Sequence, residues 1–259
     1  SFVSLILGFG CTVPAIMASR TIENPKDRLV TILVTPLMSC GARLPVYVLL
    51  AGAFFTRYQG FVVFSLYAIG VILAILLAWF FRKRMLPGES GHFVMELPPY
   101  RVPTISNVAV HVWEKGWAFL SRAGTFIFLA VFIIWLLDYF SVLEHIGQAV
   151  APIFGPAGFG QWQAAVALIF GIFAKETVIG AFGTLFGGAE TAAGIGGALS
   201  QLGWTSLTAY SFMVMTLLYI PCVATLMIIK KETNSWKWTG FTVLYTFALA
   251  WIVSTVIYQ

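Results

Sequence analysis

Charge is what this sequence has least of. Only 10% of its 259 residues are Asp, Glu, Lys or Arg, against 59% apolar, where an ordinary soluble domain carries about 25% charge. A soluble fold of this length has too little interior to hide that much apolar surface. A soluble enzyme and a disordered tail are thereby excluded. Cysteine is scarce as well: Cys11, Cys40 and Cys222 are odd in number and each lies in an apolar stretch, which excludes a disulfide scaffold. Histidine is confined to His92, His111 and His145. They stand in or near loops with no His-x-x-x-His pair, so a membrane di-iron oxygenase would lack its ligands. No Gly-x-x-x-x-Gly-Lys-Ser/Thr phosphate loop occurs, so the chain by itself does not bind and hydrolyse a nucleotide in that manner. The sequence opens without Met, inside the uncharged run Ser1 to Ser19, which reads as the interior of a longer protein and not as a signal peptide.

What is present is apolar length. A crossing takes about 20 residues, so the chain has room for roughly half a dozen. The runs are Ser1 to Ser19 (interrupted by Gly8, Gly10 and Pro14), Leu29 to Phe55 (interrupted by Pro36, Gly41 and Pro45, and carrying Arg43), the clean Tyr58 to Phe81, Ala123 to Leu137, Gln161 to Phe186, Leu207 to Ile229 with Pro221 inside, and Trp238 to Tyr258. The expected fold is all-α: a polytopic helical membrane protein with five or six full crossings and at least one broken or re-entrant helix pair. A Gly/Ala-rich loop is expected after Gly188, running to Leu199.

The net charge of +5 gathers at segment ends, which suits anionic lipid headgroups and requires no nucleic-acid partner. Arg82-Lys83-Arg84 and the turn from Lys230 to Lys237 both favour the cytoplasm. Three full crossings between them would separate them, so Gln161 to Phe186 is read as entering and returning on one side. Before Ala123, the residues Asn107, His111, Glu114 and Arg122 share one helix face, read as a wetted stripe.

Two features carry chemistry. Lys175-Glu176 sits inside the apolar run Phe170 to Ile179, and a charge at the bilayer centre costs about 2.5–3.5 kcal/mol. On a helix the two would point about 100° apart, so each needs a partner, a cavity or an ion, unless both snorkel at a boundary. Second, every cysteine stands beside a helix breaker: Gly10-Cys11 ahead of Pro14, Ser39-Cys40-Gly41, and Pro221-Cys222. A broken helix frees carbonyls that bind ions where the break lines a cavity, and a thiolate adds a soft ligand; a lone cysteine also serves as a small buried hydrophobe. Pro14 and Pro221 are candidate gate elements. Lys175 is expected to hold the gate or pair with a carbonyl, and Glu176 to supply compensating negative charge. Thiolates suit several soft or borderline metal ions, Zn(II) and Cu(I) among them, so the residues alone do not choose the metal.

The local strings bear a resemblance. Gly8-Phe9-Gly10-Cys11-Thr12-Val13-Pro14, Pro36-Leu37-Met38-Ser39-Cys40-Gly41-Ala42-Arg43, Glu96-Leu97-Pro98-Pro99-Tyr100-Arg101, Ala174-Lys175-Glu176-Thr177 and Tyr219-Ile220-Pro221-Cys222 together resemble the membrane domain of the ferrous iron transport protein B family. The resemblance implies GTP-dependent Fe(II) uptake at the cell inner membrane. GTP and Mg would bind an upstream GTPase domain outside this chain, and the further partners would be membrane lipid, small cytosolic Feo accessory proteins and, as an open option, a second copy. It implies three parts: a cysteine-containing membrane segment at 1–81, a cytoplasmic loop with an interfacial helix at 82–116, and a second gate-type repeat with the last two crossings at 117–259. By motif, Cys11, Cys40 and Cys222 match the metal-path cysteines and Glu176 the gate-region acid. The rival readings are a gate-type carrier of an organic solute such as a nucleoside, a transporter of another divalent metal, and an assembly module without transport.

Overall fold

Helix starts and stops follow local chemistry. The computed structural model describes residues 2–86, 142–186 and 192–259, with scattered positions between 104 and 136. All regular structure among them is helical, in accord with the all-α expectation. The helices are α1 (Phe2–Gly8), α2 (Thr12–Ala18), α3 (Pro25–Val34), α4 (Leu44–Phe54), α5 (Gln59–Phe80), α6 (Val142–Phe154), α7 (Trp162–Phe173), α8 (Thr177–Leu185), α9 (Ala192–Gln201), α10 (Ser206–Leu218), α11 (Val223–Thr233) and α12 (Trp236–Tyr258). Asn24 opens α3 by accepting a hydrogen bond from the Lys26 amide at 3.0 Å, with Pro25 in the first turn, where a missing N–H costs nothing.

Among the described residues four stretches are long and apolar enough to cross a membrane: Pro25–Phe54, Gln59–Met85, Ser206–Thr233 and Trp236–Tyr258. Two of them are interrupted midway. In the first, α3 yields to a tight turn at Thr35–Leu37, extended backbone through Cys40, and a second turn at Gly41–Arg43 before α4. In the third, α10 stops at Leu218 and α11 resumes at Val223 around Pro221. Pro36 and Pro221 lack the N–H that a continuous helix needs. Both interrupted spans are mostly buried, whereas only 22% of the spans built on α5 and α12 is buried. Phe61, Phe64, Ile75, Leu244 and Val256 project outward as a lipid-facing wall. Irregular backbone is tolerated at membrane depth only when wrapped by protein, and α5 and α12 do that wrapping.

Their inner faces are narrow, small toward the end of α5 and hydroxylated along much of α12. On α5, Val62, Leu66, Gly70 and Ala74 are buried four residues apart, and Gly70 lies so close to the Leu37 carbonyl that a Cβ would stand 3.0 Å from it. On α12, Thr239, Thr242, Thr246, Ala250 and Ser254 face inward, and Thr246 satisfies its hydroxyl on its own helix at 2.7 Å. Small side chains let helices approach where no hydrophobic effect drives them together.

Between Leu143–Ala157 and Trp162–Phe173 the chain bends by 98°. Gly158 takes a left-handed conformation (φ 89°) at the corner. Ser211 donates to the Ala157 carbonyl at 2.8 Å, and Gln161 accepts from the Trp204 indole at 3.1 Å, so both sides of the bend are tied to neighbours.

Ion pairs gather one end of the bundle. Arg82 pairs with Asp27, and Glu232 is clamped by Arg20 at 2.5 Å and Arg28 at 2.7 Å. The two basic turns therefore lie at the same end of the bundle. The expected crossing at Ala123 to Leu137 falls largely outside the described residues, as do His111 and Arg122 of the polar stripe.

Two expectations are corrected. The Gly/Ala-rich stretch is not a loop throughout: it forms α9, because Gly196 seats on Ala53 of α4, where a Cβ would stand 2.7 Å from the Ala53 Cβ. Packing outweighs the poor helix propensity of glycine. Pro14 does not break a helix but lies in the first turn of α2, where the amide has no intrahelical acceptor; the interruption is at Phe9–Cys11.

Candidate functional site: a buried junction of thiols and basic side chains

The three cysteines occupy equivalent places. Each takes extended backbone immediately before a helical turn: Cys11 (φ −150°, ψ 133°) before α2, Cys40 (φ −80°, ψ 159°) before Gly41–Arg43, and Cys222 (φ −60°, ψ 154°) before α11. All three are free thiols, Cys40 buried and the others half-buried, and none caps the turn it precedes. The Cys222 sulfur lies 3.2 Å from the Thr225 hydroxyl. The Gly41 amide donates to the Gly10 carbonyl at 3.1 Å, joining the Cys11 loop to the Cys40 break, while α2 packs on α11. Cys11 is in electrostatic reach of Cys40, Cys222 and Glu176. The length of α11 puts Cys222 about 16 Å from the basic end of the bundle, near the middle of a hydrocarbon core of about 30 Å.

Lys175 and Glu176 are not on a helix. They fall in the gap between α7 and α8, so the expected 100° separation on a helix surface does not apply. Thr177 closes the end of α7 by donating to Phe170 O at 2.8 Å and Ala174 O at 2.7 Å. Lys175 turns inward, 4% exposed. Its Nζ donates to the Ile220 carbonyl at 2.8 Å and stands 3.3 Å from the centroid of the Tyr219 ring. Glu176, ahead of α8, is exposed and in electrostatic reach of Cys11 and Lys175.

Arg43 is a second basic group in the same place. It is 2% exposed, and its guanidinium donates to Met38 O at 2.9 Å and Pro36 O at 3.3 Å. Lys175 is in electrostatic reach of Arg43, Cys222 and Cys40. Among the described residues no carboxylate forms an ion pair with either base. The backbone explains why both are tolerated: each interrupted span frees carbonyls from helical bonding, and a buried donor is stable when such acceptors meet it. Pro221 is buried in the second break, whereas Pro14 is exposed on α2.

Among the described residues no group of three or more His, Cys, Asp or Glu side chains is arranged to hold a metal ion at once. The thiols line a junction and do not form a closed cage. Sequence reasoning named the cysteines, Lys175 and Glu176 but missed Arg43 and Tyr219. Arg43 carried a readable signal, a charge inside an apolar run; Tyr219, one aromatic in a chain that is 16% aromatic, did not.

Residues 63–115 match the family described as ferrous iron transport protein B C terminus, and residues 1–54 and 120–236 match the Gate family, described as nucleoside recognition. The Fe(2+) transporter FeoB of Methanocaldococcus jannaschii is 43% identical over 98% of this chain and 40% of its own length. That of Staphylococcus aureus strain MSSA476 is 44% identical over 100% of this chain and 40% of its own. The chain belongs to the ferrous iron transport protein B family. It corresponds to the C-terminal membrane portion of that family and spans about two fifths of the length of these curated relatives. A further family member, from Porphyromonas gingivalis, is a fusion of Fe(2+) transport protein A with the transporter, 39% identical over 100% of this chain and 37% of its own length. No solved structure matches the chain.

Proposed function

We propose that this chain is the conducting portion of a GTP-dependent Fe(II) uptake transporter of the cell inner membrane. The relatives are named Fe(2+) transporters, and one observation supports the reading most: Cys11 is a free thiol in electrostatic reach of the free thiols of Cys40 and Cys222, which stand at the breaks of two interrupted spans. Fe(II), the cargo, would be handed between Cys11, Cys40 and Cys222, with Glu176 supplying negative charge at the exposed side of the junction and the Pro221 break holding the path open to carbonyls. Lys175 acts as the gate; Pro14 serves only to start α2. GTP and Mg belong to an upstream GTPase domain. The fusion found in P. gingivalis supports a small cytosolic Feo accessory protein as partner.

The test is uptake of radioactive Fe(II) by cells that depend on the intact transporter. Cys11→Ser with Cys40→Ser abolishes uptake while the protein still reaches the membrane; unchanged uptake refutes the cysteine path. The Gate description favours a second reading, a carrier of an organic solute such as a nucleoside. Such a carrier is indifferent to thiol-blocking reagents, which stop the Fe(II) path.

A further inference from the structure

Both interrupted spans free backbone carbonyls near mid-membrane, and in both the carbonyls are already taken by a basic side chain of the chain itself. Arg43 holds Met38 O and Pro36 O, and Lys175 holds Ile220 O. The two are not equivalent. Arg43 engages both terminal nitrogens on its own break, and its Nε is enclosed without a partner among the described residues. It is wedged in place and braces the turn that follows Cys40. Among the described residues the Lys175 side chain makes one hydrogen bond, to a residue 45 positions away, from a flexible stem rooted in the non-helical gap between α7 and α8. It can leave without unwinding a helix.

What holds the Lys175 nitrogen is a cation's surroundings: a carbonyl oxygen at 2.8 Å, an aromatic face at 3.3 Å, and the sulfurs of Cys40 and Cys222 in electrostatic reach. We propose that Lys175 is a tethered occupant of the cation seat at the α10–α11 break, an internal competitor that a travelling metal ion must displace. This rests on the Fe(II)-path reading above and deepens it. A monovalent cation offers the seat no more charge than Lys175 does and fails to dislodge it. A divalent ion that also takes thiol ligands exchanges one hydrogen bond and a ring contact for metal–sulfur bonds, so the seat selects for soft divalent cargo. Tyr219 acts as a positioning residue that holds the Lys175 stem down.

The test uses membranes from cells expressing the intact transporter and two methanethiosulfonates of similar size, one a quaternary ammonium and one neutral, with modification of Cys222 read by peptide mass spectrometry. Lys175→Met raises the ratio of cationic to neutral labelling by about thirtyfold, the scale of a desolvated cation–ring contact; Lys175→Arg keeps the wild-type ratio. Tyr219→Leu, which leaves Lys175 in place but removes the ring, raises the ratio by a smaller factor and decides the matter if Lys175→Met does not accumulate. An unchanged ratio in the variant that accumulates overturns the proposal. Because thiol labelling is read without iron, a failed iron reading appears as absent Fe(II) uptake with the ratio change intact. A failed seat appears as normal uptake with no ratio change.

Discussion

The amide of Gly41 donates to the carbonyl of Gly10 at 3.1 Å, which makes the loop carrying Cys11 and the break carrying Cys40 one backbone unit. Gly41→Pro deletes that donor with little other change. Proline is accepted at the first position of a helical turn, and Cys40 is already extended (ψ 159°) as a residue before proline must be. The loss of this backbone hydrogen bond costs about 1 kcal/mol, read as a lower melting temperature in detergent together with faster alkylation of Cys11. Gly41→Ala, whose Cβ would stand 3.4 Å from Gly10 O, stays close to wild type.

Gly171 and Tyr219 are matched in the same way. A Cβ at Gly171 would fall on the Tyr219 hydroxyl and 2.6 Å from Val178 Cγ2. Gly171→Ala therefore overpacks the junction and destabilises by about 1–3 kcal/mol. The Tyr219 hydroxyl is buried with no hydrogen-bond partner among the described residues, so Tyr219→Phe is neutral or stabilising. Combined with Gly171→Ala it recovers part of the loss, the Val178 clash remaining. A thermal-shift series on the three variants checks the order.

Glu232 ties α11 to the chain before and within α3 through Arg20 and Arg28. Its side chain is 3% exposed while that of Arg20 is 50% exposed. Glu232→Gln lowers the melting temperature more than Arg20→Ala, because it weakens both pairs. The deficit of Glu232→Gln narrows as salt is raised, since screening weakens the wild-type pairs as well. A deficit independent of salt would mean that packing, not charge, makes the clamp.

The same clamp fixes topology. Single cysteines placed at Lys83 and at Lys231, in a background without the native thiols, are labelled by a membrane-impermeant maleimide from the same side, the inside of the cell. Labelling from opposite sides would contradict the shared end defined by the Asp27–Arg82 and Arg28–Glu232 pairs.

The crossings at α5 and α12 were legible because an uninterrupted apolar run has one reading in a membrane. Helix α9 was not: its glycines argue against helix, and only the distant surface of α4 shows why small residues are wanted there. The breaks were legible from Pro36, Gly41 and Pro221, but not what fills them. A buried charge announces that it needs a partner and does not say which one; the acceptor of Lys175 is Ile220, far along the chain. Arg43 carried the same announcement as Lys175, within a run the sequence already marked as broken. That the three cysteines converge is a matter of helix packing, and no periodicity encodes it.

The most direct measurement is the rate at which Cys40 and Cys222 are alkylated in the intact transporter under anaerobic conditions, with and without Fe(II). Thiols that hand the ion across the junction are protected by Fe(II) and not by Mg(II), with Cys11 protected alongside them. Equal rates with and without Fe(II) at all three cysteines would mean that iron passes elsewhere.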